Sequence, residues 1–247
     1  MKTLVLIVGL LCTGLAARGG DHHRIPDKDR YGFFIAGNRS WTRIPFQLHS
    51  NLIIVPVRIN ESDTLQFILD TGVSNTIITD PSAFRKQPLR LTRKIKLTGA
   101  GEGGNLTASV AIDNRLSMGG LKASHHNIVI LDEDILKLSE YVGTPVHGIF
   151  GYDIFASFVV NVDFQRREIT LMDPKKYRYK KRKGDRYPIT IQDTKAYTDA
   201  LSVFDGEKSL PLRVVLDTGA GHALLLDRSR STAAMPLPVK SIRAQLG

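Results

Sequence analysis

Short runs of hydrophobic residues separated by polar turns dominate this chain, and they predict a mainly β protein. Leu52–Ile59 and Leu65–Leu69 are rich in β-branched and aliphatic residues, and the turn-forming stretch 60–63 lies between them. Further strands are predicted at 94–97, 108–112, 128–131, 158–162, 168–172, 187–191 and 212–216. The pattern predicts a single helix, over 133–141. A turn-rich β fold is therefore favoured over a helical bundle.

The N-terminal segment predicts export. Lys2 precedes an apolar run that ends at the small residues Ala16 and Ala17 and is too short to span a bilayer, which is typical of a signal peptide over 1–17. A buried N-terminal strand or helix is the alternative. The single cysteine, Cys12, falls inside this segment, so disulfides and thiolate metal sites are excluded. We expect a periplasmic, cell-surface or secreted protein with no stable membrane span.

Composition places the chain among globular proteins, with 42% hydrophobic and 23% charged residues, and excludes disorder and fibrous repeats. The formal charge of +10 comes largely from residues 175–186, which hold eight basic residues and one acidic residue. We interpret this stretch as a solvated linker between two folded units, and residues 18–44 as a flexible lead-in. Docking of the basic stretch on a membrane surface or nucleic acid is the alternative, and export argues against nucleic acid.

An internal repeat carries the candidate chemistry. Residues 65–80 align without gaps with residues 212–227, and each copy is an apolar strand, the triplet Asp-Thr-Gly and a second apolar strand. One triplet alone is explained by a β-turn with Asp at its start and Gly supplying a positive φ. Two carboxylates that face each other, here Asp70 and Asp217, cannot both ionise, so they share one proton. Such a pair can activate a water for attack on a peptide carbonyl.

These residues resemble the pepsin-like aspartic proteases. A second motif extends the resemblance: residues 147–153, which contain Ile149, Phe150 and Gly151, together with 158–164 are similar to the apolar-apolar-Gly segment that supports the first catalytic loop in that family. The combination is most similar to bacterial exported aspartyl proteases built of two retropepsin-like lobes, which often carry a PDZ domain downstream.

The resemblance implies a pepsin-like acid-protease fold with a first lobe over 45–174 and a second over 187–247. It implies that Asp70 and Asp217 are the catalytic pair, that the substrate is a protein or peptide, and that no metal or other cofactor takes part. The residues that it implies support the catalytic loops are Thr71, Gly72, Ser74, Thr218, Gly219, Ile149, Phe150 and Gly151. The residues of the candidate flap, a mobile hairpin tip closing over substrate, are Gly99, Gly101, Gly103 and Gly104.

The sequence departs from the family pattern in two places. The family usually has Ser or Thr two residues after the triplet, where the hydroxyl braces the carboxylate; Ser74 fits this pattern and Gly221 does not. The division into acid and base is therefore open. The hairpin 99–104 also lacks the Tyr that pepsin-like flaps carry, so an ordinary turn is the alternative there.

The second lobe is expected to be incomplete, because no apolar-apolar-Gly segment follows Asp217. The chain alone would then be inactive, unless two first lobes pair as a homodimer with two copies of Asp70. The histidine pairs 22–23 and 125–126 lack a metal-ligand pattern and are interpreted as surface residues. An aspartic endopeptidase is the first hypothesis, and a non-catalytic peptide-binding protein on the same fold is its rival.

Overall fold

The computed structural model describes residues 26–37, 39–98, 105–181, 184–204 and 208–226. These residues are mostly β, which confirms the predicted class. The strands are β1 (Gly32–Ile35), β2 (Trp41–Pro45), β3 (Gln47–His49), β4 (Leu52–Ile59), β5 (Leu65–Leu69), β6 (Ile77–Ile78), β7 (Leu91–Thr98), β8 (Asn105–Met118), β9 (Leu121–Leu131), β10 (Gly148–Phe150), β11 (Val159–Asp163), β12 (Glu168–Met172), β13 (Thr190–Gln192), β14 (Lys195–Phe204) and β15 (Lys208–Val215). The predicted signal peptide and the residues at 99–104 lie outside the described residues.

The largest sheet contains most strands of the range predicted as the first lobe and has the strand order β1-β9-β6-β10-β5-β4-β8-β7, with β3 paired to β4. Strand β10 lies between β5 and β6 and runs parallel to β5, so that Ile149 pairs with Ile68 and Phe150 with Leu69. The apolar-apolar-Gly segment is thus hydrogen-bonded beside the strand that leads to Asp70.

The core of this lobe forms because β4 and β5 are apolar on both faces. All but two of the eight β4 residues are buried, as is typical of a strand covered on both sides. Phe67 of β5 and Phe150 of β10 are fully buried and their rings pack 5.1 Å apart, centroid to centroid. Burial of each ring contributes about 2–3 kcal/mol, so the core holds β5 and β10 firmly in place.

Two expectations differ from the structure. Part of the predicted flexible lead-in forms strands: β1 pairs with β9, and β2 pairs with β12 in a second sheet, β11-β12-β2, with Thr42 and Ile44 turned inward. These strands are too short to stand out in the hydrophobic pattern. The predicted helix is also shorter, with α1 spanning Leu138–Val142, because Lys137 before it has a left-handed φ of 45°. A second short helix, α2, spans Asp153–Ser157.

A three-stranded antiparallel sheet, β13-β14-β15, lies in the range predicted as the second lobe and repeats the arrangement of β3, β4 and β5. Ile54 pairs with Ile68 in the first lobe, and Tyr197 pairs with Val215 at the equivalent place in the second. Large apolar side chains of this sheet, such as Leu201 and Val203, are exposed. Among the described residues no strand pairs with the free edge of β15. Residues 175–181 and 184–186, in the predicted linker, are exposed and form no strand.

Candidate active site

Asp70 follows β5 directly, and its backbone is hydrogen-bonded to the apolar-apolar-Gly segment. Its backbone N–H donates to the carbonyl of Phe150 at 2.8 Å. A Cβ on Gly151 would lie 2.6 Å from the carbonyl oxygens of Val73 and Asn75. Only glycine allows this approach of two backbone segments, which explains the residue type at position 151.

The two Asp-Thr-Gly triplets are joined by their threonines. The backbone N–H of Thr71 donates to Oγ1 of Thr218 at 3.1 Å, and the N–H of Thr218 donates to Oγ1 of Thr71 at 3.0 Å. Each hydroxyl then donates across the lobe junction, Thr71 to the carbonyl of Leu216 at 2.6 Å and Thr218 to that of Leu69 at 2.8 Å. Four hydrogen bonds related by an approximate two-fold axis therefore hold the triplets face to face.

The carboxylates of Asp70 and Asp217 meet across this junction. Each accepts the N–H of the glycine in its own triplet, Gly72 to Asp70 at 2.6 Å and Gly219 to Asp217 at 2.8 Å. Each glycine also faces the opposite carboxylate: a Cβ on Gly72 would lie 2.9 Å from Oδ2 of Asp217, and a Cβ on Gly219 would overlap the Asp70 carboxylate. Both glycines are needed for the two acids to approach.

The two acids have different surroundings. Asp70 is only 8% exposed, whereas Asp217 is exposed. Burial, and next the nearby charge of Asp217, raise the pKa of Asp70 to about 7, against the opposing effect of the N–H groups of Gly72 and Val73. The raised pKa favours the protonated form of Asp70.

Ser74 and Gly221 make contacts that the resemblance does not imply. The Ser74 hydroxyl shares a hydrogen bond of 2.5 Å with the hydroxyl of Thr194, rather than bracing Asp70. At the equivalent place in the second lobe, Nδ2 of Asn51 donates to the carbonyl of Gly221 at 3.0 Å. A Cβ on Gly221 would lie 2.9 Å from the carbonyl oxygen of Ser50, so the close approach of this turn accounts for glycine at position 221.

Sequence reasoning missed Asn51 and Thr194. Each is the second residue of a polar two-residue turn, at 50–51 and 193–194, that precedes the strand before its triplet. Extending the alignment of the internal repeat upstream, with a gap of four residues, would have paired Asn51 with Thr194.

The interpretation of the histidine pairs is wrong for His126, which is buried. Its Nε2 lies 3.2 Å from Oγ1 of Thr76 and 3.7 Å from Oδ2 of Asp153, and burial lowers its pKa to about 4.

Within the described ranges, no cluster of His, Cys, Asp and Glu side chains could hold a metal ion. The same part of the chain contains no helix long and apolar enough to cross a membrane. The candidate flap glycines fall outside the described residues, between β7 and β8.

Residues 55–154 match the family model of aspartyl proteases. This match makes the first lobe similar to aspartic proteases of the pepsin and retropepsin type. The matched range contains the first triplet and the apolar-apolar-Gly segment, whereas Asp217 lies outside it. The chain is also similar to the crystal structure of a retropepsin-like aspartic protease from Rickettsia conorii, with 16% sequence identity, a TM-score of 0.35, and coverage of 57% of this chain and 94% of that chain. No curated protein matches the sequence.

Proposed function

We propose that this protein is an aspartic endopeptidase that hydrolyses peptide bonds with a water activated by Asp70 and Asp217. One observation carries the proposal: the reciprocal Thr71–Thr218 hydrogen bonds bring the two carboxylates within hydrogen-bond reach of each other. A protein that only bound peptides would have no use for a buried carboxyl facing a second one, because that arrangement costs stability.

The different surroundings of the two acids support a division of roles. The exposed carboxylate of Asp217 accepts a proton from water as the water oxygen attacks the peptide carbonyl carbon. Asp70, which holds the shared proton, donates it to the carbonyl oxygen, so that a neutral tetrahedral diol forms. Asp217 then gives its proton to the amide nitrogen while Asp70 takes a proton from a diol hydroxyl, so that the carbon–nitrogen bond breaks and an amine and a carboxylic acid are released. No metal is required, because the two carboxyl groups supply both the acid and the base.

The proposal is tested by substituting each acid in the complete protein and measuring hydrolysis of a peptide library. Asp70→Asn and Asp217→Asn should each abolish turnover, and the double variant should lose no more than either single variant, because the two residues act as one unit. Asp199→Asn, on the exposed face of β14, is the matched control and should keep wild-type activity.

The same assay separates the alternatives. Activity that survives Asp217→Asn and rises with the square of the protein concentration would assign hydrolysis to pairs of first lobes with two copies of Asp70. Binding of a statine-type transition-state mimic without any hydrolysis would favour the non-catalytic peptide-binding function. Loss of that binding in Asp70→Asn would locate the binding site at the pair.

A further inference from the structure

Two contacts outside the triplets join the lobes, and they are equivalent under the approximate two-fold axis. The turn at 193–194 of the second lobe contacts the first catalytic loop through Thr194 and Ser74, and the turn at 50–51 of the first lobe contacts the second catalytic loop through Asn51 and Gly221. Ser74 and Gly221 occupy the same position, four residues after the catalytic Asp of their own lobe. We call these two contacts the clasp.

Local backbone geometry brings the clasp residues to the junction. Asn51 and Thr194 both have a φ of 63°, in the left-handed region, and each is the second residue of a tight turn between two antiparallel strands. Asn enters this region readily, whereas a β-branched Thr does so only at a cost. In this conformation the Thr194 hydroxyl donates to the carbonyl of Asp193 at 2.6 Å and lies 2.5 Å from the Ser74 hydroxyl on the other lobe.

The clasp joins the lobes through elements that the threonine bonds do not reach. The four hydrogen bonds of Thr71 and Thr218 involve only residues 69–71 and 216–218. The clasp contacts are made by the turns at 50–51 and 193–194, so they add restraint at separate places on each lobe. Packing gives little additional restraint, because side chains such as Ile191, Leu201 and Val203 of the second-lobe sheet are exposed.

We propose that the clasp, Thr194 with Ser74 and Asn51 with Gly221, positions the Asp217 carboxylate against Asp70. The inference rests on the proposed function and extends it to four residues that do not touch the reacting atoms. Ser74, Asn51 and Thr194 are positioning residues that act through the orientation of the second lobe. A lobe that tilts would carry Asp217 away from Asp70 and admit water to the buried carboxyl.

The first test is removal of the hydroxyls in the full chain. Ser74→Ala and Thr194→Val should each lower kcat about ten- to a hundredfold with little change in KM, and the double variant should equal the worse single variant. Thr198→Val is the matched control: it removes a hydroxyl that donates to Pro188 within the second lobe, and it should leave kcat unchanged.

A purely structural role would lower stability without altering Asp70, so the titration of Asp70 is measured by carbon-13 NMR. The Asp70 midpoint should move to lower pH in Ser74→Ala and Thr194→Val, because Asp217 recedes and water enters. An unchanged midpoint in a folded variant would overturn the proposal. The NMR titration does not depend on peptidase activity. A shifted Asp70 titration midpoint in a protein that cleaves no peptide would therefore support the clasp and refute the proposed function.

The second test locks the contact. The oxygens of Ser74 and Thr194 are 2.5 Å apart, so the pair Ser74→Cys and Thr194→Cys, with Cys12→Ser, should form a disulfide under mild oxidation. The oxidised protein should keep the high Asp70 midpoint of the wild type, and reduction should lower it. Failure of the disulfide to form in folded protein would show that the clasp does not exist in solution.

Discussion

Gly219 lies against the Asp70 carboxylate so closely that a Cβ at position 219 would overlap the Asp70 carboxyl group. The reverse contact is looser, since a Cβ on Gly72 would lie between 2.9 and 3.1 Å from the Asp217 carboxyl atoms. The two acids also differ in burial: Asp70 is 8% exposed and has little room to move, whereas Asp217 is exposed.

This contact predicts unequal effects of two identical substitutions. Gly219→Ala should abolish peptide hydrolysis and lower the thermal midpoint, because the added methyl group must displace the Asp70 carboxyl or separate the lobes. Gly72→Ala should also lower turnover but leave the thermal midpoint close to that of the wild type, since the exposed Asp217 carboxyl can shift to relieve the contact. Each variant is compared with wild type by peptide turnover and by thermal unfolding. Equal losses in both variants would contradict the asymmetry.

The raised pKa of Asp70 predicts the pH range of activity. Asp70 must be protonated to donate to the carbonyl oxygen, so kcat/KM should fall as pH rises through about 7. Asp217→Asn removes the neighbouring negative charge, and it should move the Asp70 titration to lower pH when followed by carbon-13 NMR. An activity that is constant between pH 6 and 9 would show that Asp70 is not the proton donor.

Buried His126 predicts a loss of stability in acid. Its pKa is about 4 in the folded protein and 6.5 for the ordinary side chain, so the unfolded chain binds more protons between these values. The contribution of His126 to folding therefore falls as pH decreases from about 6.5 to about 4. His126→Gln, which keeps a polar group near Thr76, should flatten the dependence of the denaturation midpoint on pH in this window.

The neighbouring residue supplies the control for that measurement. His125 is part-exposed and lies 2.6 Å from Asp113. His125→Gln should change the slope of the denaturation midpoint between pH 4 and 6.5 less than His126→Gln does, because a part-exposed pair contributes little to stability. If both variants changed the slope equally, burial of His126 would not be the cause.

The basic stretch at 175–186 predicts an unchanged catalytic rate when its charge is reduced. Lys180 and Lys181 are exposed and, in the part of the chain that the structure describes, form no ion pair. Replacing both with Ser should leave hydrolysis of small neutral peptides within about twofold of wild type, since exposed unpaired charges contribute little. A large loss on neutral peptides would place these cations in the cleft, and a loss confined to acidic or membrane-bound substrates would indicate docking.

Hydrophobic patterning alone predicted the strands that matter most for the site. Leu65–Leu69 and Glu168–Met172 lie where the alternating and apolar runs place them. The paired triplets and the apolar-apolar-Gly segment were recognisable for the same reason, because each is a local motif whose residue types are dictated by backbone geometry. The localisation and the division into domains stay predictions; we propose export on the basis of residues 1–17.

The tertiary structure decided what local patterns do not encode. Four features depend on groups distant in sequence: the partner of the Ser74 hydroxyl, the close turn that requires Gly221, the raised pKa of Asp70 and the burial of His126. Thr194 is 120 residues from Ser74, and Asn51 is 170 residues from Gly221. Sequence by itself determined the two Asp-Thr-Gly loops and the strands that carry them, because backbone conformation is a local property. Which carboxyl is buried and which hydroxyl finds which partner follows only from the packing of one lobe on the other.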